Sequence, residues 1–387
     1  MLTPDYLLHV SEGAEEIAAQ LHTDIIKRIS RRVMARMQRG DGYTLTSIDK
    51  WQIETLLDAG YLRDDIANDI ADATGKEAEE IRAAFEDAGV RTFDYDDRVY
   101  NAAGISTTKL QDSPAMIRLM QRNYDATMGE WSNYTRTTAD ASVQAFINTM
   151  DRAYNNVMSG NIGYIQAFTE AINTLAKEGI QKIAYPSGHV DTIETATLRA
   201  VRTGVSQASA QIQIARMDEN DIDLVLVSSH LGARPSHQVW QGKVYSRSGK
   251  SKKYADFYEA TGYGTGAGLC GWNCRHNFSP WIPGMDNPFE RYDSEENKKA
   301  YDESQKQRAM ERGIRSTRRE ADVKKDQLAN AASDEERQTL SDELAYMQKQ
   351  LKRETKAYQD YCDAHGLRPL PERLKIAKTG RAKVKNS

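Results

Sequence analysis

The chain has 387 residues, of which 39% are hydrophobic and 28% charged, and its formal net charge is −4. This length allows at least one sizeable core, and the slight acidity gives no whole-chain indication of a nucleic-acid-binding protein. No apolar run is long enough to span a membrane, no secretion signal is recognisable, and three cysteines do not make a disulfide framework. We therefore expect a protein made in a reducing cytoplasm.

The N-terminal half is predicted to be helical. Between Ser11 and Met37, apolar residues recur at helical spacing. Residues 47–89 follow as three short helical units that end at Gly60, Gly75 and Gly89, where C-cap glycines would stand, and they predict a three-helix module. This module is too acidic for DNA readout, because phosphates would repel it.

Further helices are predicted from Ser113 to Glu178, and again over DTIETATLRAVRTGVSQASAQIQIARMDEN, whose small residues indicate a buried helix. The stretch DIDLVLVSS from Asp221 has the β-branched composition of a buried strand. Glycine, tryptophan and short strands such as KVYS then predict a small α+β domain. From about Tyr292 two charged helices with a bend near Ala331 to Asp334 predict a solvated hairpin or coiled-coil arm.

The predicted fold class is thus mainly α with a small α+β domain. We predict a helical body over residues 1–185, the α+β domain over 186–290, the charged helical arm over 291–365 and a basic tail over 366–387. The tail is a candidate for non-specific contact with DNA phosphates or an acidic partner, although it could equally be a solubilising segment. Its candidate contact residues are Arg373, Lys375, Lys378, Arg381, Lys383 and Lys385.

The segment GLCGWNCRHNFSP concentrates thiol and imidazole side chains. It contains Cys270, Cys274 and His276, and His237 precedes it by about 33 residues. Zinc prefers such ligands, and a loop-rich domain would gain stability from a structural zinc ion. The same residues could instead pack as a structural turn, or form a thiol nucleophile with a histidine base. These alternatives stay open on the sequence alone.

Three segments in this order resemble the phage minor capsid protein 2 family: LRAVRTGVSQA, SSHLGARPSHQVWQGKVYS and TGYGTGAGLCGWNCRHNFSPWIPG. They are also similar to the broader Mu-type head-morphogenesis proteins. The specific motifs lie between about Leu198 and Gly284. This chain has Cys-Arg-His where many relatives have Cys-Arg-Cys, an exchange that preserves the capacity to bind zinc.

The resemblance implies a virion component rather than a metabolic enzyme, assembled in the cytoplasm of a bacterial host. Its implied partners are the phage portal protein, other capsid or scaffolding proteins and packaged DNA, and it implies no catalytic residue. We predict that the signature residues build the small domain, with His237, Cys270, Cys274 and His276 as the zinc candidates. The remaining signature residues are Arg199, Arg202, Thr203, His230, Arg234, Trp240, Gly242, Asn273 and Arg275.

The alternative function is a zinc- or thiol-dependent hydrolase or nuclease built on the same histidines and cysteines. It needs an activated nucleophile and a base within hydrogen-bond reach of each other, and the sequence does not establish that geometry.

Overall fold

The computed structural model describes residues 1–38, 48–159, 162–180, 183–184 and 190–375. The chain divides into two compact units, each made of three separate stretches. Unit 1 contains residues 1–14, 77–132 and 197–306, and unit 2 contains residues 15–76, 133–196 and 307–387. The units are interleaved along the chain, and the consecutive domain boundaries stay a prediction.

Helices dominate the described residues, so the predicted fold class, mainly α with a small α+β part, is confirmed. None of these helices is both long and apolar enough to cross a membrane. In chain order they are α1 (Pro4–His9), α2 (Glu12–Gln38), α3 (Ile48–Ala102), α4 (Pro114–Met158), α5 (Tyr164–Glu178), α6 (Ile193–Glu219), α7 (Pro235–Gln238), α8 (Phe257–Thr261), α9 (Ser294–Ala329) and α10 (Asp334–His365).

The predicted three-helix module is wrong, because α3 is one continuous helix of 55 residues. Gly60, Gly75 and Gly89 all lie inside it. A glycine inside a helix costs only about 1 kcal/mol relative to alanine, which burial of the apolar residues on the same helix outweighs. Gly89 also allows close packing, since a Cβ there would lie only 2.5 Å from the end of the Met120 side chain of α4, inside van der Waals contact distance.

The small-residue helix α6 is buried, as predicted. In unit 1 its residues Val201, Val205 and Ala208 pack in one apolar core with Phe85 of α3 and Tyr124 of α4. Gly204 belongs to the same contact, because a Cβ at this position would collide with Thr127. The helix therefore serves as the base on which the rest of unit 1 packs.

The strand predicted from Asp221 is β3 (Leu224–Val227), the centre of a three-stranded antiparallel sheet in unit 1. Val225 stands opposite Tyr245, and Val227 stands opposite Phe278. These side chains join Trp240 in the core of the α+β part. In chain order the strands are β1 (Ile183–Ala184), β2 (Val190–Asp191), β3 (Leu224–Val227), β4 (Val244–Ser246) and β5 (Phe278–Pro280), with β1 and β2 forming a separate antiparallel pair.

The C-terminal helices form a pair, with the break between them at the predicted position. Ser333 caps α10 by accepting a hydrogen bond from the Glu336 N–H, and the Glu336 carboxylate accepts from the Ala332 N–H, so the helix starts at the predicted SDEE sequence. However, α9 is not a solvated arm. In unit 2, Arg319 donates to the carbonyl oxygens of Ala176 and Lys177 at the end of α5. Charged side chains are thus used here to satisfy helix-terminal carbonyl groups.

Unit 2 also contains a buried histidine–glutamate pair. The Nδ1 atom of His22 lies 3.0 Å from Oε2 of Glu194, and its Nε2 accepts a hydrogen bond from the Ile180 N–H. Burial alone would raise the pKa of Glu194, but the interactions with His22, together with Arg319 and a backbone hydrogen bond, outweigh it and lower the pKa to about 2.

Candidate metal centre

The cysteine-containing loop of unit 1 is held in an unusual backbone path. Cys270 and Asn273 have φ values of 57° and 53°, in the left-handed region that favours glycine. Gly268 and Gly271 allow the loop to pack against itself, because a Cβ on either would collide with the backbone of Gly262 or Gly266. The loop therefore brings its side chains inward through backbone turns, which explains its glycine content.

Three of the four predicted metal ligands meet beneath this loop. Nδ1 of His237 and Nδ1 of His276 each lie 3.7 Å from Sγ of Cys274. All three ligand atoms are within 4.8 Å of one another, and all three residues are buried. Cys270, the fourth predicted ligand, is outside this group, and its thiol contacts the His276 carbonyl oxygen at 3.6 Å.

Burial controls the protonation of this cluster. It lowers the pKa of His237, lowers that of His276 well below its ordinary value, and raises the pKa of the Cys274 thiol. Burial also raises the pKa of Cys270. Both imidazoles are therefore neutral near pH 7, which is the form that binds metal ions. A buried thiol with a raised pKa is a poor nucleophile.

Arg202 connects the loop to the start of the chain. It is only 2% exposed, and its guanidinium donates to the carbonyl oxygens of Leu7 and Leu8 at 2.6 and 2.9 Å. The same group donates to the side-chain oxygen of Asn273. One signature residue on α6 thus fixes both α1 and the loop, whereas Arg199 is half-buried three residues earlier on the same helix.

The other signature residues contact the loop backbone or its histidines. Asn273 donates its N–H to the Thr203 hydroxyl at 3.1 Å, and Arg234 donates to the Trp272 carbonyl at 2.8 Å. The His230 ring stacks on His276 with 4.4 Å between centroids. Arg275 lies beside the same His230 ring, with its guanidinium nitrogen 3.2 Å from Nδ1.

Trp240 packs against both histidines of the cluster, and Gly242 follows two residues later in a left-handed turn. The Trp240 ring lies 4.7 Å from the His237 ring and 4.8 Å from the His276 ring, measured between centroids. Gly242 has a φ of 66°, and its carbonyl accepts a hydrogen bond from Asn287. Four signature residues from distant parts of the sequence therefore surround His276, namely His230, His237, Trp240 and Cys274.

Two buried amides in this region were missed by the sequence reasoning. Gln241 accepts hydrogen bonds from His276 Nε2 and from the His230 N–H, at 2.9 and 3.1 Å. Asn297 forms a pair of hydrogen bonds with the backbone of Ala233, at 2.8 and 2.9 Å. The position of Gln241 between a tryptophan and a glycine of the signature was a sequence signal for this residue. Nothing in the neighbouring sequence indicates that its side chain is buried.

Two of the six predicted DNA-contact residues belong to the described residues, and four do not. Arg373 is only 8% exposed and lies 3.9 Å from the Glu311 carboxylate within unit 2, so it belongs to the folded structure. Lys375 is exposed. The remaining predicted contacts, Lys378, Arg381, Lys383 and Lys385, lie outside the described residues.

The fold and the site define a mainly helical protein with a small α+β part that contains a buried histidine–cysteine cluster. The family model described as phage minor capsid protein 2 matches residues 2–353, and the chain belongs to that family. A structural protein of Lactococcus phage LL-H is 25% identical to the chain over 224 residues, which cover 56% of the chain and 60% of that relative. No solved structure matches the chain.

Proposed function

We propose that this minor capsid protein associates with the portal vertex of the phage head. The match to the minor capsid family over residues 2–353 carries this proposal. The likeness to a phage structural protein agrees with it. Its proposed partners are the portal protein and other capsid or scaffolding proteins, and its proposed site of assembly is the cytoplasm of the bacterial host.

Co-expression with the portal protein of the same phage tests the association. Full-length protein should co-purify with assembled portal and should not co-purify with the major capsid protein alone. Arg122→Met, an exposed substitution on α4, provides a folded surface variant for comparison. Absence of binding to portal, by a protein with the helical circular-dichroism signal of wild type, would overturn the proposal.

We also propose that the basic tail contacts packaged DNA through phosphates and without sequence readout. Lys375 is exposed, and basic residues recur to position 385. Chains ending at Lys375 and at Ser387 should then differ in DNA retention, and retention by the longer chain should fall steeply with salt. Equal retention by both chains, at every salt concentration, would refute this contact.

The burial of the histidine–cysteine cluster favours a structural role over the alternative hydrolase. Cys274 is 2% exposed and His276 is 1% exposed, so a substrate has no direct access to either side chain. A nucleophilic cysteine needs an accessible thiolate, whereas burial raises the pKa of this thiol. We therefore propose that the protein acts without catalysis.

A further inference from the structure

We propose that His237, Cys274 and His276 bind one structural Zn²⁺ ion. This inference concerns the α+β part of unit 1 and is independent of the portal association proposed above. It rests on the positions of the three ligand atoms, on the hydrogen bonds of the two imidazole rings, and on the loop to which they belong.

The spacing of the ligand atoms suits a tetrahedral zinc ion. Typical bonds are about 2.3 Å from zinc to sulfur and about 2.0–2.1 Å to nitrogen, so a tetrahedral angle places the two ligand atoms roughly 3.6 Å apart. Both nitrogen-to-sulfur distances here are 3.7 Å. Each histidine nitrogen therefore already lies at the distance from the sulfur that a shared tetrahedral ion requires.

The hydrogen bonds at Nε2 of His237 and His276 leave the Nδ1 lone pair of each ring facing the sulfur of Cys274. Nε2 of His237 lies 3.0 Å from the Ala267 carbonyl oxygen, and Nε2 of His276 lies 2.9 Å from Oε1 of Gln241. These oxygens only accept hydrogen bonds, so each neutral ring carries its proton on Nε2. The same Gln241 oxygen accepts from a backbone N–H, which confirms that it is the oxygen that faces the ring.

Without a cation, this arrangement leaves a buried acceptor unsatisfied. The Cys274 thiol has one proton, but two unprotonated Nδ1 atoms face it. A buried acceptor without a donor costs about 1–3 kcal/mol. A Zn²⁺ ion bound to the thiolate satisfies both nitrogens at once, and the outer hydrogen bonds to carbonyl groups are those that orient metal-bound histidines in proteins.

The thiolate form of Cys274 would also accept a hydrogen bond from within the loop. The backbone N–H of His276 donates to Sγ of Cys274 at 3.4 Å. Three protein ligands with water in the fourth position are typical of catalytic zinc sites, but all three ligand residues here are buried, so we assign the ion a structural role. The ion would join α7 to the loop 37 residues later, in a region whose strands contain only three or four residues each. Such a crosslink stabilises small, loop-rich structures.

Metal analysis of the full-length, tag-free protein tests the proposal. Wild type should contain about one zinc ion per chain by elemental mass spectrometry. Replacement with Co²⁺ should give the thiolate charge-transfer absorption and the intense visible bands of a four-coordinate site. Cys274→Ala should abolish both signals. The matched control is Cys270→Ala, which removes an equally buried thiol of the same loop and should retain both.

The metal analysis of wild type tests the proposal even if Cys274→Ala does not fold. Folded wild type without zinc, which also shows no thiolate absorption after addition of Co²⁺, would overturn it. A different native metal in place of zinc would overturn the zinc assignment. Loss of the cobalt thiolate band in Cys270→Ala, with the band retained in Cys274→Ala, would show that the ligand set is wrong.

Discussion

Replacing Arg202 with methionine should destabilise unit 1 strongly. Methionine fills much of the same volume but donates no hydrogen bond, so the hydrogen bonds from Arg202 to the Leu7 and Leu8 carbonyls and to the Asn273 side chain are lost. The two carbonyls belong to the last turn of α1, where helix carbonyls need hydrogen-bond donors from outside the helix. The arginine thus acts as a buried link between α1, α6 and the loop.

The expected loss in stability follows from the lost hydrogen bonds of Arg202. Each buried acceptor left without a donor costs about 1–3 kcal/mol. Burying the charged guanidinium of Arg202 costs desolvation energy, which the methionine variant avoids. This gain offsets part of the loss, so we expect a net loss of about 3–5 kcal/mol in the free energy of unfolding. With a typical denaturant dependence, the urea midpoint of unit 1 should fall by roughly 1–3 M.

Tryptophan fluorescence during urea unfolding measures this loss, because four of the five tryptophans lie in unit 1. Arg122→Met is the matched control, since this exposed arginine lies on α4 in the same unit, and its effect should stay within about 0.5 kcal/mol. Arg202→Lys should fall between the two, because one ammonium group cannot reach all three acceptors. A midpoint for Arg202→Met equal to that of the control would refute the reasoning.

Three further predictions concern α3, the acidic pH range and the zinc ligands. Gly60→Ala and Gly75→Ala should each stabilise the protein by about 0.5–1 kcal/mol in thermal unfolding, because both glycines are helical with open space around their Cα atoms. Stability from Glu194 is present above pH 4.5 and lost as the pH falls toward its folded pKa of about 2, so Glu194→Gln should lack that part of the acid sensitivity in urea titrations monitored by circular dichroism. Gln241→Leu should weaken zinc affinity about 10–100-fold in chelator competition, since it removes the oxygen that orients one histidine ligand.

Each of these three predictions would be contradicted by a specific result. Destabilisation by both alanine variants would mean that the glycines end helices after all. An unchanged acid transition in Glu194→Gln would contradict the lowered pKa of this carboxyl. For the zinc site, Gln241→Glu keeps an acceptor oxygen and should retain most of the affinity. Equal weakening by the glutamate and leucine variants would contradict an orienting role for this side chain.

The local elements of this protein were predictable because neighbouring residues encode them. Apolar residues at helical spacing predicted α2, β-branched residues predicted β3, and the SDEE sequence predicted the start of α10. In each case the deciding interactions join residues a few positions apart, such as the hydrogen bond between Ser333 and Glu336. The cysteine- and histidine-rich loop was also recognisable, since its side-chain types suggest metal chemistry without knowledge of the fold.

The tertiary structure decided what depends on residues far apart in the chain. The local sequence predicted breaks at Gly60 and Gly75, but side chains along α3 bury enough apolar surface to outweigh the glycine cost. Among the cysteines of the loop, only the folded path shows that Cys274 meets His237 and Cys270 does not. The sequence by itself determined the local elements and the available ligand types, whereas burial and long-range packing determined which helices continue and which ligands meet.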